Sequence, residues 1–221
     1  MINEYIEQLR PEVLRLFKNE SSGHDITHLE RTMNIALYLQ KHEGGDEMIV
    51  GISAFLHDIH RIMGEEIGKY VYPKDSLDRV REILLITDLT EMQINQILYC
   101  IEHHETYNWN NPQNKENNIN ALILQDADNL DAIGAIGIGR TFTYGGAHNI
   151  PMYVSDVPLE VPENYDDGIG NAASTIHHFY QNLLRLGEYM NTNTAKQLAK
   201  DRTEFMKDFV HEFLLEWNGE K

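Results

Sequence analysis

Apolar residues return every three or four positions along most of this 221-residue chain, and almost nowhere do they alternate in twos. That period places one greasy face on a helix, whereas a half-buried strand needs period two. Ile6, Leu9, Val13 and Phe17 mark a first helix. Leu29, Met33, Ala36, Leu37 and Leu39 mark a second, over about 26–42. Asp46 is placed to cap a third that carries Met48, Ile49, Ile52, Phe55, Leu56 and Ile59. Asp75 or Ser76 caps a fourth with Leu77, Val80, Ile83 and Leu84, and Thr90 a fifth with Ile94, Ile97, Leu98 and Ile101. The expectation is an all-α fold in a single domain over 1–221.

A sixth helix is predicted over 119–143 despite Gly134, Gly137 and Gly139. Each glycine costs ~1 kcal/mol against alanine inside a helix, and close helix packing is the ordinary reason to keep one. The Asn-rich stretch 108–120 with Pro112 reads as a loop, and 144–170 with three prolines as a long excursion. The one stretch with hairpin character is 144–154. Two more helices are expected over 171–190 and 194–217.

Composition excludes several functions. Eighteen Lys+Arg against 35 Asp+Glu leave a net charge of −17. A nucleic-acid binder neutralises phosphates with Lys and Arg, and an anionic membrane asks for the same charge, so neither partner is expected. A lone cysteine, Cys100, cannot form an internal disulfide and suits a reducing compartment. No run approaches the ~18 apolar residues of a membrane span, and the first residues lack a signal-peptide core, so a cytoplasmic location is expected.

Six of the eleven histidines cluster with acids, in His24-Asp25-Ile26-Thr27-His28, His57-Asp58-Ile59-His60 and His103-His104-Glu105, and Asp126-Ala127-Asp128-Asn129-Leu130-Asp131 adds a fourth, acidic run. A lone His-Asp pair is ordinarily a cap or an ion pair. Here His57-Asp58 follows the apolar run 52–56, and Asp128 follows the apolar run 121–124. Several carboxylates buried in one core cost several kcal/mol per ion unless a cation joins them. Imidazole and carboxylate together suit a divalent ion such as Mn, Fe, Co, Ni, Mg or Zn. Arg31 follows His28 by one helical turn on the same face, which sets a cation beside a ligand as a metal-bound phosphate requires; a surface salt bridge is the alternative.

The motif His28-x-x-Arg31, then His57-Asp58, then Ala127-Asp128-x-Leu130-Asp131-Ala132 resembles the signature of the HD-domain metal-dependent phosphohydrolase superfamily. The likeness spans about 23–131. The run from Asp126 through Leu130-Asp131-Ala132-Ile133-Gly134-Ala135-Ile136-Gly137-Ile138, with Ser22-Gly23-His24-Asp25 before it and His178-Phe179-Tyr180 after it, resembles one bacterial subgroup and extends the match almost to the last residue. The resemblance implies metal ligands His28, His57, Asp58 and Asp128. Asp126 is the rival for the last position, with orienting a ligand His or capping the helix as its other roles. His24, Asp25, His103 and His104 are further candidates to support the ligands or to hold a second ion.

Two positions depart from the pattern. Many nucleotidases of the superfamily carry an acid three residues after the Asp of His-Asp, and its cyclic-dinucleotide phosphodiesterases a Lys; this chain has Arg61. His103-His104-Glu105 resembles a motif of the latter branch, but the Gly-Tyr-Pro motif expected beyond it is replaced by Thr106-Tyr107-Asn108, so the three residues are read as a second-metal or phosphate contact, with a polar helix end as the alternative. The resemblance implies a hydrolase of a small phosphorylated substrate, most simply a nucleoside triphosphate cleaved at a phosphoanhydride. Asp58 or Asp128 would take a proton from the attacking water, and Arg31, Arg61 or Arg140 would neutralise phosphoryl charge. A phosphodiesterase of cyclic or guanosine signalling nucleotides and a non-catalytic nucleotide sensor are the alternatives. A homodimer is compatible with each.

Overall fold

The apolar periodicity becomes helix nearly throughout the computed structural model, which describes residues 2–105, 116–160 and 172–221 and shows no strand among them. The chain forms two compact units, one running through Asp128 and the other from Asn129. No helix among the described residues is long and apolar enough to cross a membrane.

In the first unit the order is α1 (Ile2–Leu16), α2 (Ile26–Glu43), α3 (Glu47–Leu56), α4 (Ile59–Ile67), a 3-10 turn Pro73–Ser76, α5 (Leu77–Leu84), α6 (Glu91–His103) and α7 (Ile119–Asp131), whose last turn crosses the boundary. Helix α3 is its axis. Every residue from Ile49 to Leu56 is buried, the mark of a helix that is apolar all round. Helices α1, α2 and α6 pack around it. Asp46 caps α3 by accepting from the amides of Met48 and Ile49 at 2.9 and 3.0 Å. Thr90 and Gln93 exchange side-chain and backbone bonds at the start of α6, closing a capping box. Asn120 Oδ1 accepts from the Asp46 amide at 2.8 Å and ties the start of α7 to the start of α3.

The structure cuts the apolar runs where periodicity alone predicts continuity. The third predicted helix ends at Leu56 and a new one starts at Ile59, with His57 and Asp58 in the break. The predicted cap of the fourth is replaced by the 3-10 turn, and Ser76 Oγ donates back to Pro73 O at 2.7 Å instead of capping. The sixth helix, expected over 119–143, is two: α7 and α8 (Gly134–Ala147). Gly134 has φ +76, a left-handed conformation that side chains resist, and Arg202 Nη1 donates to the Leu130 carbonyl left over at the end of α7.

In the second unit α8 packs on α11 (Asn193–Asn218). Phe142, Phe179, Phe209 and Phe213 share their contact, ring centroids 6.0–6.3 Å apart. The stretch expected as a helix over 171–190 is α9 (Thr175–His178), a π turn Phe179–Leu183, α10 (Leu184–Leu186) and a 3-10 turn Gly187–Tyr189. The expected hairpin does not form: Tyr144–Ala147 complete α8. Residues 106–115 and 161–171, which hold most of the first predicted loop and the end of the second, lie outside the described residues.

The glycines of α8 are not equivalent. A Cβ on Gly137 would stand 2.2 Å from the Ala132 carbonyl oxygen, whereas one on Gly139 would meet nothing within 4 Å. Gly137→Ala is expected to cost about 2–3 kcal/mol and lower the melting temperature by roughly 5–10 °C. Gly139→Ala, two residues on, is expected to be neutral or to gain up to ~1 kcal/mol from helix propensity. Thermal melts of the pair check this; equal melts would show that Ala132 does not set the position of α8.

Candidate metal centre

Each of the four expected ligand side chains stands where a helix begins, breaks or ends. Asp25 caps α2: its Oδ1 accepts from the His28 amide at 3.1 Å and from the Thr27 hydroxyl at 2.6 Å. This fixes the first turn, from which His28 enters the core fully buried. His57 and Asp58 occupy the break after α3, and Asp58 has φ −92, ψ 14, the sparsely populated bridge region. The break leaves helix carbonyls without amide partners, and His57 folds back so that its Nδ1–H donates to Ala54 O at 2.8 Å. Asp128 comes from the last turns of α7.

These four converge. His28 Nε2 lies 3.2 Å from His57 Nε2, 3.3 Å from Asp58 Oδ2 and 3.5 Å from Asp128 Oδ1. His57 Nε2 lies 3.5 Å from Asp58 Oδ1 and 3.6 Å from Asp128 Oδ1. His28 and His57 are 0% exposed and Asp58 1%, whereas the Asp128 side chain keeps 16% of its surface.

A second layer adjoins them. His60 Nδ1 donates to His57 O at 3.1 Å and His104 Nδ1 to Ile101 O at 2.6 Å. As with His57, donation from Nδ1 puts the neutral ring's lone pair on Nε2, aimed inward. Arg61 Nε donates to Asp58 Oδ1 and Arg61 Nη2 to Glu105 Oε1, both at 2.8 Å. Tyr70 donates its hydroxyl to Glu105 Oε2 at 2.5 Å, and Gln125 Nε2 donates to His104 O at 3.0 Å.

The charges follow from this packing. Burial opposes ionising Asp58, but Arg61 and then His57 and His28 outweigh it and hold the carboxyl well below its usual range. Asp128 is likewise depressed, against burial, by His57 and His28. Burial alone would lower His57, yet Asp58 and Asp128 raise it to about 9. A buried and a half-buried carboxylate thus call for positive charge at the point where the Nε2 atoms meet. Glu105 is lowered to about 2 because Arg61 and His60 outweigh its burial, and His104 is lowered to about 4 by burial.

The arrangement fits a divalent ion. His28, His57 and Asp58 place one ligand atom each within 4.8 Å of one another, as do His57, His104 and Asp128. Asp58 Oδ2 is buried with no hydrogen-bond partner among the described residues, as an atom reserved for a cation would be. Two imidazole nitrogens and two carboxylate oxygens are donors for the borderline divalent metals.

The other residues singled out in the sequence divide between the edge of the cluster and places away from it. Asp126 is buried two residues before Asp128, but the ligand groups found among the described residues include Asp128 and not Asp126. Asp25 is spent on the α2 cap. The His24 ring meets the His28 ring edge-on at 5.6 Å, and Glu20 accepts from the His24 amide at 3.1 Å. His103 turns away from the cluster: its Nδ1 donates to Tyr99 O at 2.8 Å and its ring stacks on Tyr99. Arg31 Nη1 donates to Thr27 Oγ1 at 3.0 Å on the first turn of α2. Arg61 bridges Asp58 and Glu105. Arg140 pairs with buried Asp131 at 3.0 Å. His60 stands in the run His57-Asp58-Ile59-His60 without an expected role, whereas Glu105 belongs to the His103-His104-Glu105 motif expected to contact a second metal or a phosphate. The signal for His60 was its place three residues after His57 at a helix break; nothing local links Glu105 to Arg61, 44 residues earlier.

Comparison with known proteins agrees with this geometry. The HD domain family matches residues 25–133. The Bacillus subtilis protein YpgQ, described as uncharacterized, is 31% identical over 206 residues, covering 93% of this chain and 90% of its own. The crystal structure of an HD-superfamily hydrolase from Bacillus thuringiensis is 32% identical, covers 99% of both chains and superposes with a TM-score of 0.72. YpgQ solved in complex with ADP is 30% identical over 94% of both chains, with a TM-score of 0.70. Likeness at this level over nearly its whole length, together with the matched segment that carries the His and Asp cluster, makes the chain a member of the HD domain family.

Proposed function

We propose that the protein is a metal-dependent phosphohydrolase that cleaves a phosphoanhydride of a nucleoside triphosphate. The observation that carries this reading is the convergence of His28, His57, Asp58 and Asp128 on one point. The ADP bound to YpgQ supports a nucleotide as the ligand class. A divalent ion held by those four side chains supplies a Lewis acid for a phosphoryl oxygen and acidifies a water.

The chain's residues do the rest. Asp128, the ligand with solvent access, takes the proton of the attacking water; Asp58, sealed and tied to Arg61, stays ionised and holds its place. Arg61 is committed to Asp58 and Glu105, so it positions a ligand and does not grip substrate. Arg31, one turn beyond His28, is the cation that meets the phosphoryl oxygens.

The test is a hydrolysis screen of nucleoside triphosphates, cyclic dinucleotides and hyperphosphorylated guanosine nucleotides with Mn, Co, Ni, Mg and Zn. Turnover of triphosphates with a cleaved phosphoanhydride is expected. Turnover of the cyclic or guanosine signalling nucleotides alone would replace the proposed substrate, and tight nucleotide binding without product under every ion would make the protein a sensor.

A further inference from the structure

Beside the first ligand set lies a second that shares Asp58 with it and whose other members the proposed reaction does not use as ligands. Asp58, His60 and His104 place one ligand atom each within 4.8 Å of one another, and all three are buried to 1% exposure or less. The Nε2 atoms of His60 and His104 and Oδ2 of Asp58 have no hydrogen-bond partner among the described residues. Both rings present Nε2 because Nδ1 is spent on a carbonyl. Glu105 Oε1 lies 3.4 Å from His60 Nε2 and completes a set of two imidazoles and two carboxylates.

Such a set calls for a cation, and the chain provides one. The Arg61 guanidinium spans both carboxylates, with Nε on Asp58 Oδ1 and Nη2 on Glu105 Oε1. Guanidinium stays protonated at any pH at which the protein is folded, so its charge is permanent. It occupies carboxylate lone pairs that an ion would need and repels a second dication at close range.

We propose that Arg61 is a built-in cation standing in for a second metal ion, and that it keeps the centre at one ion; without it, Asp58, His60, His104 and Glu105 bind a second divalent cation, with Asp58 shared between the two. The inference rests on the first ligand set holding an ion, and the two fail separately in the experiment below.

Wild type, Arg61→Ala and Arg61→Ala/His104→Ala are equilibrated with excess Mn2+, freed of loose ion by gel filtration and assayed for manganese per chain, with circular dichroism to verify folding. One ion is expected in wild type, two in Arg61→Ala and one in the double variant. The electron paramagnetic resonance of Arg61→Ala should change from the six-line pattern of isolated Mn2+ to that of a coupled pair. Arg61→Gln, neutral and closer in length, gives the same count should Arg61→Ala not fold. Two ions in wild type, or one in every folded Arg61 variant, overturns the proposal; two in the double variant places the second ion elsewhere. Wild type without manganese sinks the first-site reading, and the increment produced by removing Arg61 still decides this one.

Discussion

Asp58→Ala is expected to leave the protein without a stoichiometric divalent ion and without measurable hydrolysis. Asp58 is the proposed ligand that joins both imidazoles to Arg61: it lies 3.3 Å from His28 Nε2, 3.5 Å from His57 Nε2 and 2.8 Å from Arg61 Nε. Its removal takes away a ligand and also leaves the Arg61–Glu105 pair without its inner anchor. An ion present at 100 times its dissociation constant adds about 2.7 kcal/mol to stability. For a chain of this length that raises the melting temperature by roughly 5–10 °C. Saturating metal should therefore shift the melt of wild type and not that of Asp58→Ala, and a chelator should bring wild type down to its own metal-free value. Stoichiometric ion in Asp58→Ala, by elemental analysis, would show that the ligand assignment is wrong.

Arg31→Lys is expected to keep the ion and lose rate. Arg31 sits one turn from His28 on α2, with Nη1 held by Thr27, whose hydroxyl is in turn held by the capping Asp25. A guanidinium so oriented can grip a phosphoryl oxygen with two parallel donors, and an ammonium cannot reproduce that fork. A loss of about 2–4 kcal/mol of transition-state stabilisation corresponds to a rate roughly 30- to 1,000-fold slower. A residue serving only as a surface ion pair would change stability by ~0–1 kcal/mol and leave turnover alone. Steady-state kinetics beside metal content distinguishes them: unchanged turnover in Arg31→Lys and Arg31→Ala removes Arg31 from the reaction.

The all-helical character and the caps at Asp46 and Thr90 were legible because they rest on near neighbours: a residue three or four positions away, or an amide two or three positions on. The breaks at His57–Asp58 and at Ala132–Ile133 were not. Apolar residues continue on both sides of each break, so periodicity runs through it, while the interruption is set by what the flanking side chains do in three dimensions. His57 takes up Ala54 O, and Arg202 takes up Leu130 O from 72 residues away. The same limit applies to the centre. Motif spacing pointed to His28, His57, Asp58 and Asp128, which the fold brings together. It also pointed to His103, although on α6 His104 faces the cluster and its neighbour faces Tyr99. Which of two adjacent histidines points inward depends on the rotation of the helix, and the Asn-rich sequence that follows α6 gives no cue to it.

The proposed ligands come from α2, from the break after α3 and from α7, so a hundred residues separate the first, His28, from the last, Asp128. A short peptide that carries all its ligands, such as a zinc finger, can capture metal while still unfolded. No equivalent fragment occurs among the described residues. During synthesis His28, His57 and Asp58 emerge early, but the cluster cannot close until α7 has left the ribosome and docked. Loading is therefore an act of the finished fold, which samples whatever ions its surroundings hold in exchangeable form. Because affinities of nitrogen and oxygen sites rise in the same order for nearly all proteins, the ion found in the purified protein will report the supply in the producing cells as well as the preference of the site, and growth media differing in manganese, cobalt and zinc should yield differently loaded protein from one and the same sequence.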